Sequence, residues 1–399
     1  MNIRHAWLLS CAILSLWSCA GVQKNQSAGN EEPLPSLSAL PRKIYLEDGN
    51  FHVQGVVVDV KRGYAYFSFT TKLVKTDLKG RVIGSVDGFI GHLGCLDVNP
   101  DDGRVYASLE YKNDNIGKGI LKGLGSGVNP DEAKDHESSF YIAIFDGDKI
   151  TRPGMSAEKE HVIHTVYLKE VADDYKAMVT NKGKQVEHRY GCSGIDGIAF
   201  GPQFGKKGGR NFLNLAYGIY GDTGRTDNDY QVILQYDANS LRQYERPLSQ
   251  NGFNKTGPEK PLNKYFVYTG NTSYGIQNLE YDPNTGYWLA AVYKGKKAWF
   301  PNYSLFAIDG SRGPESQVLK GFDNAEKGHV LQLAAAGMYD QNSGVYGWLF
   351  PWGATGMHAL GHGYFYISQN GITKDKKQYC DLRLYRWAGQ GGAPFEEVK

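Results

Sequence analysis

Short apolar runs separated by polar turns recur along most of the chain. Each copy consists of an apolar run, a polar turn that ends in glycine, and a second apolar run. Runs of this length, bounded by turn residues, predict β-strands rather than packed helices. The five copies begin at Gly55, Cys95, Gly197, Asn278 and Ala336, and a compressed copy begins at His358.

Several copies continue into further strands. Third runs end at Asp77, Asp146, Asp237 and Asp309, and fourth runs begin at Arg81 and Ser316. Repeated units of about four antiparallel strands are typical of propeller blades, which bury both faces of each sheet by packing around one axis. We predict an all-β β-propeller over 44–399 with five or six blades and loop insertions. The alternative fold is a pair of β-sandwiches, which explains the strands but not the repetition of the strand–turn–glycine–strand pattern.

Two segments interrupt the repeat. The first, from Tyr111 to Ser139, is rich in glycine and is predicted to be a loop within the second blade. The second, from Ala157 to Lys184, contains a predicted helix around Leu168 to Met178.

The N-terminus has the pattern of an export signal. Arg4 and His5 precede the apolar run Ala6 to Leu16, which is too short to cross a bilayer. The run ends in Leu16-Trp17-Ser18-Cys19, which resembles a bacterial lipobox with Cys19 as the lipidated residue, although tryptophan before the serine is unusual. The alternative is an ordinary secretory peptide cut near Ala20.

A polar stretch follows the predicted signal. Residues 1–19 are assigned to the signal and lipobox, 20–43 to a flexible tether, and 44–399 to the folded domain. No later run is apolar enough to span a membrane, so the lipid is expected to be the only membrane contact. We therefore expect a monomer anchored to the bacterial envelope, on the periplasmic or the surface side.

Charge and cysteine content narrow the functional classes. The chain has 44 basic and 42 acidic residues, and this balance argues against nucleic acid as a partner. Its aromatic content is 13%, which suits a sheet protein. Cys95, Cys192 and Cys380 remain after the signal and the lipidated cysteine, so at least one is expected to be free. No spacing predicts a zinc site.

Polar side chains occupy equivalent positions in different copies. Because residues just before the innermost strand of each blade gather around one mouth of a propeller, such residues are expected to share a pocket. When the copies are aligned on their turn glycines, one column of the alignment contains His52 and His92, and another contains Gln54, Asp196 and Gln277. The compressed copy begins with His358.

The segment leading into the third copy adds further candidates. His188, Arg189 and Tyr190 supply a base or hydrogen-bonding group, a cation and a phenol. We predict His52 or His92 as general base, Asp196 orienting it, and Tyr190 as proton donor. Gln54, His188, Arg189, Gln277 and His358 are predicted to bind substrate.

No cofactor follows firmly from the sequence, and no metal ligands are assigned. The segment from Asp222 to Asp229 is rich in oxygen ligands and leaves calcium open, but it lacks EF-hand spacing and favours a solvated turn.

From about residue 44 to 388 the repeated phrase resembles that of exported β-propellers, a broad group that includes glycan hydrolases and lyases, sugar lactonases and phytases. The resemblance implies an extracellular carbohydrate ligand. We predict acid–base cleavage of a glycan, with a uronate-containing one as the leading substrate class. The alternatives are a non-catalytic surface lipoprotein that binds glycan or protein, and a calcium-dependent lactonase or phosphohydrolase.

Overall fold

Five β-sheets contain most of the strands in the part of the chain that the structure describes. The structure is a computed structural model that describes residues 39–125 and 137–399. The predictions of a signal, of a lipobox at Cys19 and of most of the tether lie outside the described residues. Among the described residues, no helix is long and apolar enough to cross a membrane.

The sheets are numbered as blades in chain order, and their strands are given from the innermost outward. Blade 1 contains Val53–Asp59, Tyr64–Phe69, Lys72–Asp77, Val82–Asp87 and Met155–Ser156, and blade 2 contains His92–Val98, Val105–Tyr111, Ser139–Phe145, Ile163–Tyr167 and Arg246–Pro247. Blade 3 contains Cys192–Pro202, Asn211–Ile219, Tyr230–Tyr236, Asn263–Tyr268, Lys327–Leu331 and Glu315–Val318, and blade 4 contains Thr272–Asp282, Tyr287–Lys294 and Leu305–Asp309. Blade 5 contains Met357–Gly361, Tyr364–Ile372, Gln378–Gln390 and Lys43–Glu47, and Ala393–Glu397 also pairs with Gln378–Gln390.

Two hairpins and a few short helices complete the described part. The hairpins are Met178–Asn181 with Lys184–Glu187, and Met338–Asp340 with Val345–Gly347. The α-helices are Asn115–Leu124, Lys169–Lys176 and Ala238–Leu241, and the 3₁₀-helices are Gly147–Lys149, Arg189–Gly191 and Arg242–Tyr244.

The innermost strands of the five blades form a closed ring. Each contacts the next, and the ring closes between Met357–Gly361 of blade 5 and Val53–Asp59 of blade 1. The N-terminal strand Lys43–Glu47 pairs antiparallel with Gln378–Gln390, so the start of the domain completes its last blade. The all-β propeller prediction is confirmed with five blades, and the β-sandwich alternative is wrong.

The repeated turn glycines share one conformation. Gly63 donates its N–H to the carbonyl of Asp59, and Gly286 does the same to Asp282, each at 2.8 Å. Their φ angles are both +75°, a region that costs glycine little and other residues more. The same turn recurs at Gly103, with φ of +69°, and at Gly344, with φ of +75°. This geometry explains why these four copies of the repeat end their turns in glycine.

Apolar side chains fill the spaces between the blades. Val57, Leu96 and Ile198 belong to the largest buried cluster, which extends across the first three blades. Trp288 packs where blades 3 and 4 meet, and Trp348 packs where blades 4 and 5 meet; both are fully buried. Burial of these faces is the main favourable term for the ring.

Two strand assignments from the sequence are corrected. The copy beginning at Ala336 forms an outer hairpin rather than the inner pair of a blade; Trp348, just after it, bridges Leu305 in the third strand of blade 4. The compressed copy supplies the inner pair of blade 5 instead. The run at Ser316 joins the outer edge of blade 3, because it pairs with Lys327–Leu331 and that strand pairs with blade 3.

Both insertions contain a helix. The helix predicted in the second one is confirmed as Lys169–Lys176. The first insertion was predicted to be a loop, but its described part forms the helix Asn115–Leu124. The Asp114 carboxylate caps that helix by accepting hydrogen bonds from the N–H groups of Ile116 and Gly117.

Candidate functional site

A histidine and two carboxyl groups meet where the inner strands begin. His92 opens the inner strand of blade 2 and lies opposite Glu110 on the neighbouring strand. Its Nδ1 lies 3.5 Å from Glu110 Oε1 and 3.6 Å from Asp196 Oδ1 of blade 3. Nδ1 is buried and makes no hydrogen bond with any described residue. This nitrogen is therefore positioned to accept or share a proton.

Small residues and polar anchors position Asp196. Its backbone carbonyl accepts a hydrogen bond from Ser108 Oγ at 2.6 Å, and Gln277 Nε2 donates to its Oδ2 at 2.9 Å. A Cβ on Gly94 would lie 2.4 Å from Ser108 Oγ and 3.2 Å from Asp196 Oδ1. Glycine at this position therefore allows blades 2 and 3 to approach closely enough for the cluster to form.

Lys112 is the buried cation of the cluster. Its Nζ lies 2.6 Å from Glu110 Oε1 and donates to the carbonyl of Ser193 at 2.9 Å. Glu110 Oε2 also accepts the N–H of Ile195 at 3.0 Å. Burial opposes charge on Lys112, but the carboxylates around it raise its pKa. Burial raises the pKa of Glu110, and the Lys112 cation opposes that rise.

The surroundings drive the proton affinities of His92 and Asp196 in opposite directions. Burial, together with the Lys112 cation, lowers the pKa of His92 to about 3. Burial and the negative charge of Glu110 raise the pKa of Asp196 well above its usual range. At neutral pH His92 is therefore a neutral imidazole, and it lies beside a carboxyl group whose proton affinity is raised. Paired groups whose pKa values are driven apart are the usual arrangement of an acid–base pair.

Blade 1 contributes His52 and Gln54 to the same region. Gln54 Nε2 lies 3.1 Å from His52 Nε2 and donates to Thr70 Oγ1 at 3.1 Å. Burial lowers the pKa of His52, and a charge on His52 would in turn lower that of His92. The structure thus brings together five residues that the sequence aligned, namely His52, Gln54, His92, Asp196 and Gln277. Their functional roles stay predictions.

The helix Asn115–Leu124 covers part of this mouth. A cavity of about 30 Å³ separates Gly117 and Ile120 of the helix from His92 and Lys112. That space holds only a water or two. The side chains of His92 and Asp196 remain 11% and 12% exposed, so both still reach solvent.

Aromatic side chains extend the mouth toward His188. Tyr220 Oη donates to Asp114 Oδ2 at 2.7 Å, and Asp114 Oδ2 lies 3.8 Å from Lys112 Nζ. The His188 ring packs between Tyr175 and Tyr220, at centroid distances of 4.4 and 5.0 Å and with both rings tilted to it. His188 therefore lies at the edge of the cluster, next to Tyr220.

The structure does not bring Arg189 and Tyr190 into the mouth. Tyr190 is buried against Phe266, and its hydroxyl donates to Glu326 Oε1 at 2.6 Å. Arg189 is exposed and lies 3.7 Å from Asp174. The expectation that these two residues join His52 and His92 is therefore corrected.

His358 belongs to a second polar cluster farther along the inner strands. Its Nδ1 lies 3.5 Å from Glu280 Oε1, and Asp97 is close enough to influence its pKa. Burial opposes protonation of His358, but the negative charge of Glu280 raises its pKa overall. Asp97 lies five positions after His92 on one strand, so this cluster is separate from the mouth.

The residues considered for calcium already have protein partners. Asp227 pairs with Arg225 at 2.8 Å and Asp229 pairs with Lys297 at 2.5 Å. Within residues 39–125 and 137–399, no three His, Cys, Asp or Glu side chains are grouped so as to hold a metal ion.

Comparison with known proteins returns distant folds only. No protein-family model matches the chain, and no curated protein matches it. Among solved structures it is similar to the Dos1 propeller, with 11% identity, a TM-score of 0.32, and coverage of 87% of this chain and 81% of that one. It is also similar to the Cps50 (Swd1) β-propeller domain of Myceliophteria thermophila, with 12% identity, a TM-score of 0.30, and coverage of 84% and 99%. A third, U3-55K, has 10% identity, a TM-score of 0.29, and coverage of 86% and 98%. The assignment as a five-bladed propeller rests on the strand pairing of this chain.

Proposed function

We propose that this chain is an exported, lipid-anchored propeller that cleaves a uronate-containing glycan by acid–base chemistry at the mouth cluster. One observation carries the proposal: His92 Nδ1, which makes no hydrogen bond with any described residue, lies 3.6 Å from Asp196 Oδ1. Such a pair can remove one proton and supply another without a metal or a covalent intermediate.

The pair suits β-elimination of a uronate. In this proposal the imidazole ring of His92 takes the proton at C5, next to the sugar carboxyl group. The electrons of that C–H bond form a C4–C5 double bond while the C4–O glycosidic bond breaks. Asp196 gives its proton to the departing oxygen, so the products are an unsaturated uronate and a free hydroxyl. Asp196 is then the acid, whereas the sequence predicted it to orient the base.

A binding protein without catalysis is the second candidate. The amide groups of Gln54 and Gln277 already have internal partners, and the cavity under the helix admits only water. These features suit a surface that binds a glycan chain at the rim of the mouth without cleaving the glycan.

Turnover separates the two candidates. Purified protein is incubated with a panel of acidic oligosaccharides, and absorbance from the unsaturated product is followed. The parent should form product, and His92→Gln should lower the rate at least about a hundredfold. His161→Gln is the control, because His161 is exposed in the loop before an outer strand of blade 2. No product from a saccharide that the parent binds, or full activity in His92→Gln, would overturn the catalytic proposal.

Lipid anchoring needs its own measurement. Mass spectrometry of the protein from bacterial membranes should find an acylated N-terminal Cys19, and Cys19→Ser should release the protein into the soluble fraction. An unmodified N-terminus near Ala20 would favour the ordinary secretory peptide instead.

A further inference from the structure

A large aromatic side chain is exposed at the mouth end of blade 4. Tyr274 lies three positions before Gln277 on the inner strand Thr272–Asp282, and it is 43% exposed. In the part of the chain that the structure describes, its hydroxyl makes no hydrogen bond and its ring packs against no other aromatic ring. The side chain is therefore accessible to a molecule that approaches the mouth from solvent.

The backbone holds this side chain in an unfavourable conformation. Tyr274 has a φ of +66°, which a bulky residue rarely adopts. Together with Gly275 it falls in a register shift of the pairing with Tyr287–Lys294, so neither residue has a partner on that strand. A Cβ on Gly275 would lie 2.4 Å from the carbonyl of Tyr217, so this glycine allows the bulge to pack against blade 3. Bulges often redirect a side chain beside an active site, and backbone strain is concentrated at functional sites.

One amide group connects Tyr274 to the mouth cluster. Gln277 Nε2 donates to the carbonyl of Tyr274 and to Asp196 Oδ2, each at 2.9 Å. A Cβ on Gly218 would lie 3.5 Å from each of these two oxygen atoms. The strained residue with the exposed ring is therefore an immediate neighbour of the carboxyl group proposed as the acid.

We propose that Tyr274 is a substrate-binding residue of the mouth, whose ring packs against the apolar face of a sugar residue next to the one that is cleaved. The inference rests on the proposed function for its ligand class, and it names a residue that contacts the glycan beside Asp196. A tyrosine ring suits this role because it offers a large apolar face with little loss of side-chain freedom. The bulge and the positive φ then serve to direct the ring to the ligand.

Binding measurements in a non-cleaving background test this role. Tetragalacturonate is titrated by calorimetry into full-length His92→Gln protein, with and without Tyr274→Ala, and the alanine variant should bind at least about tenfold more weakly. Tyr274→Phe keeps the ring and should stay within about threefold of the background, so a loss as large as that of alanine would contradict the packing role. The matched control is Tyr339→Ala, which removes a tyrosine that is 53% exposed in the outer hairpin and should change affinity less than about twofold.

A glycine variant separates binding from folding. Glycine adopts positive φ angles without strain, so Tyr274→Gly should keep or raise the urea midpoint of unfolding while it loses affinity as Tyr274→Ala does. A residue that served only the turn would give glycine and alanine variants with the affinity of the background. That result would overturn the assignment.

The two proposals fail in different ways. If the mouth cluster does not cleave glycans, the otherwise unchanged protein shows no turnover but still binds tetragalacturonate in a manner that Tyr274→Ala weakens. If Tyr274 does not bind substrate, the alanine variant keeps full affinity while the protein with only its native residues still forms product. No binding of tetragalacturonate by the His92→Gln protein would overturn the ligand class on which both proposals rest.

Discussion

Asp97 offers a sharp test of how the ring is held together. Its side chain lies on the inner strand of blade 2, accepts the N–H of Phe200 in blade 3 at 2.6 Å, and is close to Glu280 of blade 4. Burial, with the negative charge of Glu280, raises the pKa of Asp97 to about 7. Replacement by asparagine removes the titration while keeping the shape.

The sign and size of the effect follow from linkage. A carboxyl group whose pKa is raised by folding stabilises the fold fully below its unfolded pKa, and this contribution is lost as the pH rises through the folded pKa of about 7. Each pKa unit corresponds to about 1.4 kcal/mol. The free energy of unfolding of the parent should therefore fall, relative to Asp97→Asn, by about 3 kcal/mol between pH 4.5 and 7.5.

Urea unfolding followed by tyrosine and tryptophan fluorescence measures this difference at each pH. The absolute stability of Asp97→Asn can be lower, because asparagine loses one acceptor oxygen, so the quantity compared is the slope with pH. Asp101→Asn, a change at an exposed carboxyl group in the adjoining turn, should leave the slope of the parent intact. Parallel curves for the parent and Asp97→Asn would refute the assignment of a raised pKa to this carboxyl group.

Three further outcomes follow from buried groups. Lys112→Met leaves Glu110 without its cation and should lower the free energy of unfolding by about 3 kcal/mol in urea titrations. Ile44→Ala, in the N-terminal strand that completes blade 5, should cost about 3 kcal/mol in the same assay, because this side chain is fully buried. The three described thiols are buried and free, and burial raises their pKa values; mass spectrometry should find them unalkylated at pH 8 until the protein is denatured. They are Cys95, Cys192 and Cys380.

The repeat predicts the inner strands of the first four blades, but its full copy at Ala336 is an outer hairpin and the compressed copy at His358 supplies the inner pair of blade 5. The copies can be aligned on their turn glycines, and a shared turn places equivalent residues at the same level along the propeller axis. That is why His52 and His92, far apart in the chain, were expected at one mouth. The outer strands carry no such signal: Glu315–Val318 follows blade 4 in the chain yet adds to blade 3, and only long-range pairing decides this.

The candidate site was predicted in part. Glu110 and Lys112 were missed because they lie on or just after the second strand of blade 2, outside the aligned columns. Their signal was two charged residues at alternate positions at the end of an otherwise apolar strand. The position of Tyr190 was predicted wrongly because its closeness to Asp196 in the sequence does not determine where its side chain points. Positive φ angles at His188 and Tyr190, of +69° and +61°, turn the chain so that the phenol faces the outer strands.

The pH dependence of kcat/KM on a cleaved acidic oligosaccharide tests the central claim most directly. With His92 as a neutral base whose pKa is about 3, activity should persist as the pH is lowered toward 4, and it should fall as the pH rises through the raised pKa of Asp196. Activity that falls below about pH 6.5, as for an ordinary exposed histidine base, and that survives in Asp196→Asn, would contradict the account.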